Sequence, residues 1–173
     1  MKKQFLCLLS LCALNACSHV STLSVEYVEP SEWNGRRIAA HQGCRADGGR
    51  GSTPTLYVSG IPYGTNLLIL EIDNMDNPAL NKNGGQGSIG FYHNGESTAT
   101  LLPVPGETYA LPKFAFEEKA SRVNPSKPYP YMPPCVEKGH YYSLTVKAVN
   151  RTGSFDQQKT VLLGRGSLDM GRY

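Results

Sequence analysis

The sequence predicts a mainly β domain, and three observations carry that expectation. Leu67–Ile72 (LLILEI) is a run of six mostly branched, apolar residues bounded by turn signals, which reads as a buried strand. Several shorter stretches alternate apolar and polar residues, as half-buried strands do. Eighteen glycines and twelve prolines mark many turns and leave little room for long helices. A chain of 173 residues forms one domain and buries roughly 70% of its unfolded surface, so it needs no metal or oligomeric partner to fold.

Taken in order, Leu23–Val28 alternates Leu23, Val25 and Tyr27 against Ser24 and Glu26, the pattern of an early strand. Trp33-Asn34-Gly35 marks a turn and Arg36–Ala40 a second short strand. His41–Thr53 is a loop rich in glycine and charge, and Pro54–Ser59 alternates again before the turn at Ile61–Gly64. Leu67–Ile72 follows and ends in a polar knot, Asp73–Pro78. A second polar loop, Asn77–Gly87, leads into Gly85-Gln86-Gly87-Ser88-Ile89-Gly90, a literal GxGxxG. A dinucleotide site would need a helix to open there, whereas Phe91–Gly95 reads as a strand ending in a turn. Thr98–Val104 is expected as strand and Phe114–Ser121 (FAFEEKAS) as a helix of one or two turns. Asn124–Pro134 holds five prolines in eleven residues, which excludes helix and central strand and leaves an extended loop. Gly139–Asn150 is the second strong strand, with Tyr142, Leu144, Val146 and Ala148 on one face. Thr160–Leu163 and Leu168–Tyr173 close the chain.

The amino terminus carries the most specific signal. Lys2 and Lys3 precede an apolar core, Phe5–Leu14, that is too short to span a bilayer of about 20 helical residues. Leu14-Asn15-Ala16-Cys17 then resembles the bacterial lipobox. The resemblance implies a signal peptide over residues 1–16, acylation of Cys17, a lipidated tether over 17–22 and a single β domain over 23–173. Several acyl chains on Cys17 make the membrane a partner, since two lipid signals already give stable anchoring. Ser18, where an aspartate would resemble an inner-membrane retention signal, points to the outer membrane of a bacterial envelope, facing the periplasm or the surface. Without Lys2 and Lys3 the formal charge falls from +3 to +1, and no basic face or stripe suggests nucleic acid. Once Cys7 and Cys12 leave with the signal and Cys17 is acylated, Cys44 and Cys135 remain. In an oxidising envelope they are expected to pair, the alternative being two buried thiols.

Candidate chemistry sits in three loops: Asp73, Asp76 and Pro78 after the central run, Gln86 and Ser88 in the next loop, and His140 and Tyr142 entering the late strand. His19, His41, His93 and His140 lack metal-ligand spacing, and there is no HExxH, CxxC or GxSxG motif. No nucleophile with a base can be named, so neither catalysis nor a cofactor is expected.

Three segments, in order, resemble the phosphatidylethanolamine-binding protein family, the Raf-kinase-inhibitor-like proteins. Cys44 with Ser52–Gly64 is similar to the family's cysteine followed by Ser-Pro-x-Leu-x-Trp-x-Gly-x-Pro, with Tyr57 in place of the tryptophan. Leu67–Pro78 is similar to its apolar strand and Asp-Pro-Asp-x-Pro. Pro134–Asn150 is similar to its Pro-Cys, short loop, His-Arg-Tyr and strand, and GRGSLDMGRY to its closing Ala-x-Leu-x-Gly-x-Tyr.

The resemblance implies a large central sheet packed with a smaller one, few helices, and an anion pocket at one end of the sheet for phosphate-like headgroups. Onto that pocket fall Asp76, Pro78, His140 and Tyr142. Its first aspartate falls on Asn74 without a gap, or on Asp73 with a one-residue slip. Met75 stands for the middle proline, Tyr141 for the arginine, and Gln86–Ser88 where a second histidine is expected. The matched cysteines Cys44 and Cys135 imply the disulfide again. The expected function is a non-catalytic envelope lipoprotein that binds a small polar or anionic, phosphate-like molecule. Family members that inhibit kinases or proteases imply the alternative, a protein acting on an envelope enzyme through loops such as Asn124–Pro134.

Overall fold

A computed structural model of the chain describes residues 20–135 and 139–173. The expected signal peptide and Cys17 lie outside the described residues. The described residues form nine strands: β1 (Ser21–Thr22), β2 (Ser24–Tyr27), β3 (Leu56–Ser59), β4 (Leu67–Asn74), β5 (Gly87–Tyr92), β6 (Thr98–Leu101), β7 (Ala115–Lys119), β8 (Tyr141–Thr152) and β9 (Lys159–Arg172). Helical structure among the described residues is confined to three 3-10 turns of three residues each. Six strands make a large sheet in the order β1-β9-β8-β4-β5-β7, and three make a smaller one, β2-β3-β6. All pairings are antiparallel except β1 with β9. The mainly β architecture with a large and a small sheet is the expected one.

β4 is buried along its whole length, which explains its continuous apolar sequence. Successive side chains still alternate faces. Leu68, Leu70 and Ile72 point into the main core, beside Leu144, Val146 and Ala148 of β8 and Leu56, Val58 and Leu101 of the small sheet. Leu67 and Ile69 point the other way and cluster with Val149 and Phe116.

The two sheets meet where β9 has no side chains. A Cβ on Gly166 would lie 2.6 Å from the Leu23 carbonyl oxygen, so only glycine lets the segment before β2 cross β9 there. Gly171 plays a similar part for the segment around Arg36, and its φ of 96° also favours glycine.

Four expectations are corrected. Phe114–Ser121 is not a helix: β5 needs a partner along its free edge, and Ala115–Lys119 supplies it as β7. Ladder hydrogen bonds, the Phe116 ring against Tyr92 (centroids 5.0 Å apart) and a two-point Glu118–Arg151 contact outweigh the helical preference of Glu-Glu-Lys-Ala. Thr160–Leu163 and Leu168–Tyr173 are parts of one strand, because the intervening Gly-Arg-Gly-Ser keeps pairing with β8. Arg36–Ala40 is not a strand; only Arg37 bridges to Arg172, and Ala40 opens a 3-10 turn. Ser21 and Thr22, read as the end of a tether, pair with Gly164 and Arg165 and belong to the sheet. The Asn124–Pro134 stretch is an extended loop, as expected, touching the sheet edge through a Tyr131–Gly87 bridge. Gly85–Gly90 runs straight into β5 with no helix after it.

Candidate functional site

The register of β4 on β8 places Asn74 directly opposite Tyr142, and both are fully buried. Their side chains share the inner face of the sheet at its end, where β8 begins. The Asn74 amide reaches two groups. Its Nδ2 donates to the Tyr142 hydroxyl at 3.3 Å. His140 Nδ1 lies 3.1 Å from Asn74 Nδ2 and 3.2 Å from Asn74 Oδ1. An amide offers both a donor and an acceptor, so it can serve either ring tautomer. Asn74 Oδ1 also accepts the Asp76 backbone N–H at 3.2 Å, which turns the chain sharply after β4.

Asp76 holds the site's backbone together. Its Oδ2 accepts the Tyr141 N–H at 3.0 Å and an Arg172 guanidinium N–H at 3.1 Å. The same Arg172 nitrogen donates to the Gly139 carbonyl at 2.5 Å, and Gly139 N–H bonds the Tyr173 carbonyl. The last residues of the chain thus clamp the start of β8, from which His140 projects. Pro78 is exposed in the turn closed by the Leu80 N–H to Asn77 carbonyl bond.

Asp73 lies on the opposite face. Its carboxylate accepts the Gly85 N–H at 2.8 Å and pins the loop that returns to β5. Burial pushes its carboxyl up, the Gly85 N–H opposes that, and the nearby Glu71 charge adds to the rise. Ser88 is opposite Glu71 in the ladder and shares that outer face, so it too is separated from Asn74. Gln86 stays beside the end of β4: its N–H donates to the Ile72 carbonyl at 2.9 Å and its carbonyl accepts the Met132 N–H at 2.8 Å. Of the eight residues singled out in the sequence, the structure brings Asn74, His140 and Tyr142 together, with Asp76 positioning them and Gln86 nearby. Asp73 and Ser88 face away.

One residue of this region escaped sequence reasoning. Tyr131 is 1% exposed, with a hydroxyl near those of Tyr142 and Tyr27; burial pushes it well above the ordinary tyrosine range, and the two neighbouring tyrosines add to the rise. Its hydroxyl, which can donate or accept, and Gln86 Oε1, an acceptor, are buried with no hydrogen-bond partner among the described residues. The signal was its position inside YPYMPP, one residue short of the Pro-Pro-Cys segment, where a prolines-make-loops reading hides a core side chain.

Cys44 and Cys135 form a disulfide across 91 residues, as expected. Asp47 lies within ligand reach of both sulfurs, but the sulfurs are bonded to each other and are not thiolates. On the outer face, Asp73, Glu71, Lys147, Arg165, Asp169 and Tyr141 line a polar groove of about 540 Å³. A hydrogen bond to Asp169, together with burial, pushes the Tyr141 hydroxyl up to about 12.

No family model matches the chain, and no curated protein matches it. Among solved structures it is similar to a crystal structure described as a phosphatidylethanolamine-binding protein homolog from Chlamydia trachomatis D/UW-3/CX. The identity is 18%, the TM-score 0.46, and the likeness covers 88% of this chain and 97% of that one. At that identity no residue role passes from one protein to the other.

Proposed function

We propose that this chain is a non-catalytic binding protein of a bacterial envelope, anchored through acylated Cys17, that holds a small polar or anionic ligand at the end of β4. The observation that carries the reading is the meeting of Asn74 with His140 and Tyr142, residues 66 and 68 positions apart in sequence. A buried amide, an imidazole and a phenol offer donors and acceptors at fixed positions. Phosphate oxygens are matched by such a donor set.

The test is titration of the full chain with inorganic phosphate and with phosphoethanolamine, followed by amide and imidazole NMR shifts. Saturating shifts at His140, Asn74 and Tyr142 are expected, and are expected to vanish in Asn74→Ala. If nothing near His140 moves at ~10 mM of either compound, a concentration that detects even binding of about −3 kcal/mol, the reading fails.

A further inference from the structure

The chain joins its large sheet close to its amino terminus. Ser21 and Thr22 pair with Gly164 and Arg165. Only residues 18–20 lie between Cys17 and Ser21, so even a fully extended chain keeps the Cys17 Cα within about 14 Å of the Ser21 Cα. An acyl anchor on Cys17 therefore leaves no long tether, and the domain has to rest against the bilayer. The direction of β1 says which part of it does. β1 runs parallel to β9, so towards its own amino terminus it points to the Lys159 end of β9. β4 starts at that same end, since Leu67 pairs with Val149 and Val149 with Leu162.

Exposed apolar and aromatic side chains collect there. The 61–64 loop lies over β9 where β1 joins it. A Cβ on Gly164, the partner of Ser21, would lie 3.2 Å from Pro62 Cδ, and one on Gly64 would lie 4.0 Å from Leu163 Cδ1. Tyr63, between Pro62 and Gly64, is 98% exposed. Asn150 Nδ2 donates to the Gly64 carbonyl at 2.6 Å, and Asn150 pairs with Val161, so the β8–β9 hairpin is bonded to the same loop. Val20, Val161 and Leu162 are exposed as well. A tyrosine sets an apolar ring and a polar tip at the level of lipid headgroups, where membrane proteins are enriched in it. The charges at this end balance: Lys113 and Lys159 are exposed there with Glu96 and Asp156, and Arg151 is paired with Glu118. Contact with a bilayer here comes from apolar burial, not from attraction to anionic lipid.

We propose that this end of the domain is its membrane-contact surface, with Tyr63 seated among the headgroups and Val161 and Leu162 beside it, a placement that rests on the acylation of Cys17. The site at Asn74 and His140 then faces away from the anchoring bilayer. Leu67 opens β4 and Asn74 closes it, about 23 Å apart at the rise of an extended strand. The site therefore takes its ligand as a free molecule from the aqueous side, and not as a headgroup of the membrane that holds the protein.

The test reconstitutes the full chain, purified from bacterial membranes, into phosphatidylcholine vesicles with and without bromine on the upper acyl chain. Mass spectrometry of the same preparation records the acyl groups on Cys17. Tyr63→Trp reports from the proposed surface. Met75→Trp and Tyr109→Trp report from exposed positions at the other end of the sheet. Met75 N–H donates to the Tyr141 carbonyl at 2.8 Å, and Tyr109 packs on Tyr129, whose carbonyl accepts the Ser121 N–H just past β7. Trp33 is buried and adds the same emission to every variant. Brominated lipid should quench most of the emission added by Tyr63→Trp and none of that added by the other two, at low and high salt alike. If Cys17 carries no acyl group, the anchoring reading fails and this proposal falls with it. If Cys17 is acylated and Tyr63→Trp is unquenched, or Met75→Trp is quenched as strongly, the orientation alone is overturned. Quenching of Tyr63→Trp that fades as more chains are loaded per vesicle would assign the surface to contact between copies and overturn the proposal in the same way.

Discussion

The Cys44–Cys135 disulfide closes a loop of 91 residues, and cutting it has a calculable cost. In the chain-entropy account, a loop of that length removes about 15 cal/mol/K from the unfolded state, or about 4.6 kcal/mol at 25 °C. For a domain of this size each kcal/mol moves the melting temperature by about 2–4 °C, so the expected fall is about 9–18 °C. The variant to make is Cys44→Ala/Cys135→Ala, which leaves neither partner of the bond as a lone thiol. Cys44 is fully buried, so part of any loss comes from packing. Reducing the unaltered protein with dithiothreitol separates that part, because it opens the bond without removing atoms. Melting is followed by calorimetry or circular dichroism, with and without reductant. Reductant should lower the melting temperature of the unaltered chain and leave the double variant where it is. The reasoning is refuted if the oxidised and reduced forms melt within ~3 °C of each other, which would mean less than about 1.5 kcal/mol from the cross-link.

Three further outcomes follow from single contacts. Lys147 pairs with Glu71 at 2.7 Å, and the Glu71 side chain is only 6% exposed, so Lys147→Met strands a carboxylate and should cost about 3 kcal/mol in urea unfolding. Glu71→Gln/Lys147→Met should recover most of that; equal losses in single and double variants would show that the pair is not what Lys147 contributes. Asp73 has a folded-state pKa raised chiefly by burial, so its contribution to stability is full below the ordinary carboxylate range and is lost as pH rises through the raised value. Asp73→Asn keeps an acceptor for the Gly85 N–H and should match the unaltered chain at acid pH but exceed it near neutrality; parallel melting curves from about pH 4 to about pH 8 would contradict this. Gly166→Val places a side chain against the Leu23 carbonyl and should cost about 2–3 kcal/mol, read as a lower urea midpoint; an unchanged midpoint would mean the two sheets do not depend on this close approach.

Much of the fold was legible because each sheet face writes its own period into the chain. The alternation around Val25, Val58 and Leu144 placed β2, β3 and β8, and the unbroken run at Leu67–Ile72 placed β4. What the sequence hid were elements stabilised by distant partners. β7 carries a helix-compatible composition, and only the open edge of β5 makes it a strand. The middle of β9 reads as a glycine-rich break, yet those glycines are there because another segment crosses them. Tyr131 looked like a loop residue because prolines flank it, and nothing local shows that its ring reaches the core.

The candidate site turns on one residue of phase. Asp73 and Asn74 are neighbours at the end of a strand covered on both faces, where the hydrophobic pattern does not show which face is which. Motif spacing allowed either residue to face His140. The ladder decides, because Asn74 is paired with Tyr142 and Asp73 with Ser143, and a shift of one residue reverses every side chain. The two positions then divide the work. Asp73 spends its charge on the backbone of the Gly84–Gly85 loop, on the outer face. Asn74 presents a neutral amide to His140, on the inner face. A carboxylate in that place would set a fixed negative charge against an incoming anion, and its pull on the imidazole would have to be overcome by the ligand. The amide imposes neither cost. Spacing alone could not tell which of the two neighbours meets the imidazole; the ladder gives that place to the neutral amide of Asn74 and leaves the Asp73 carboxylate on the other face.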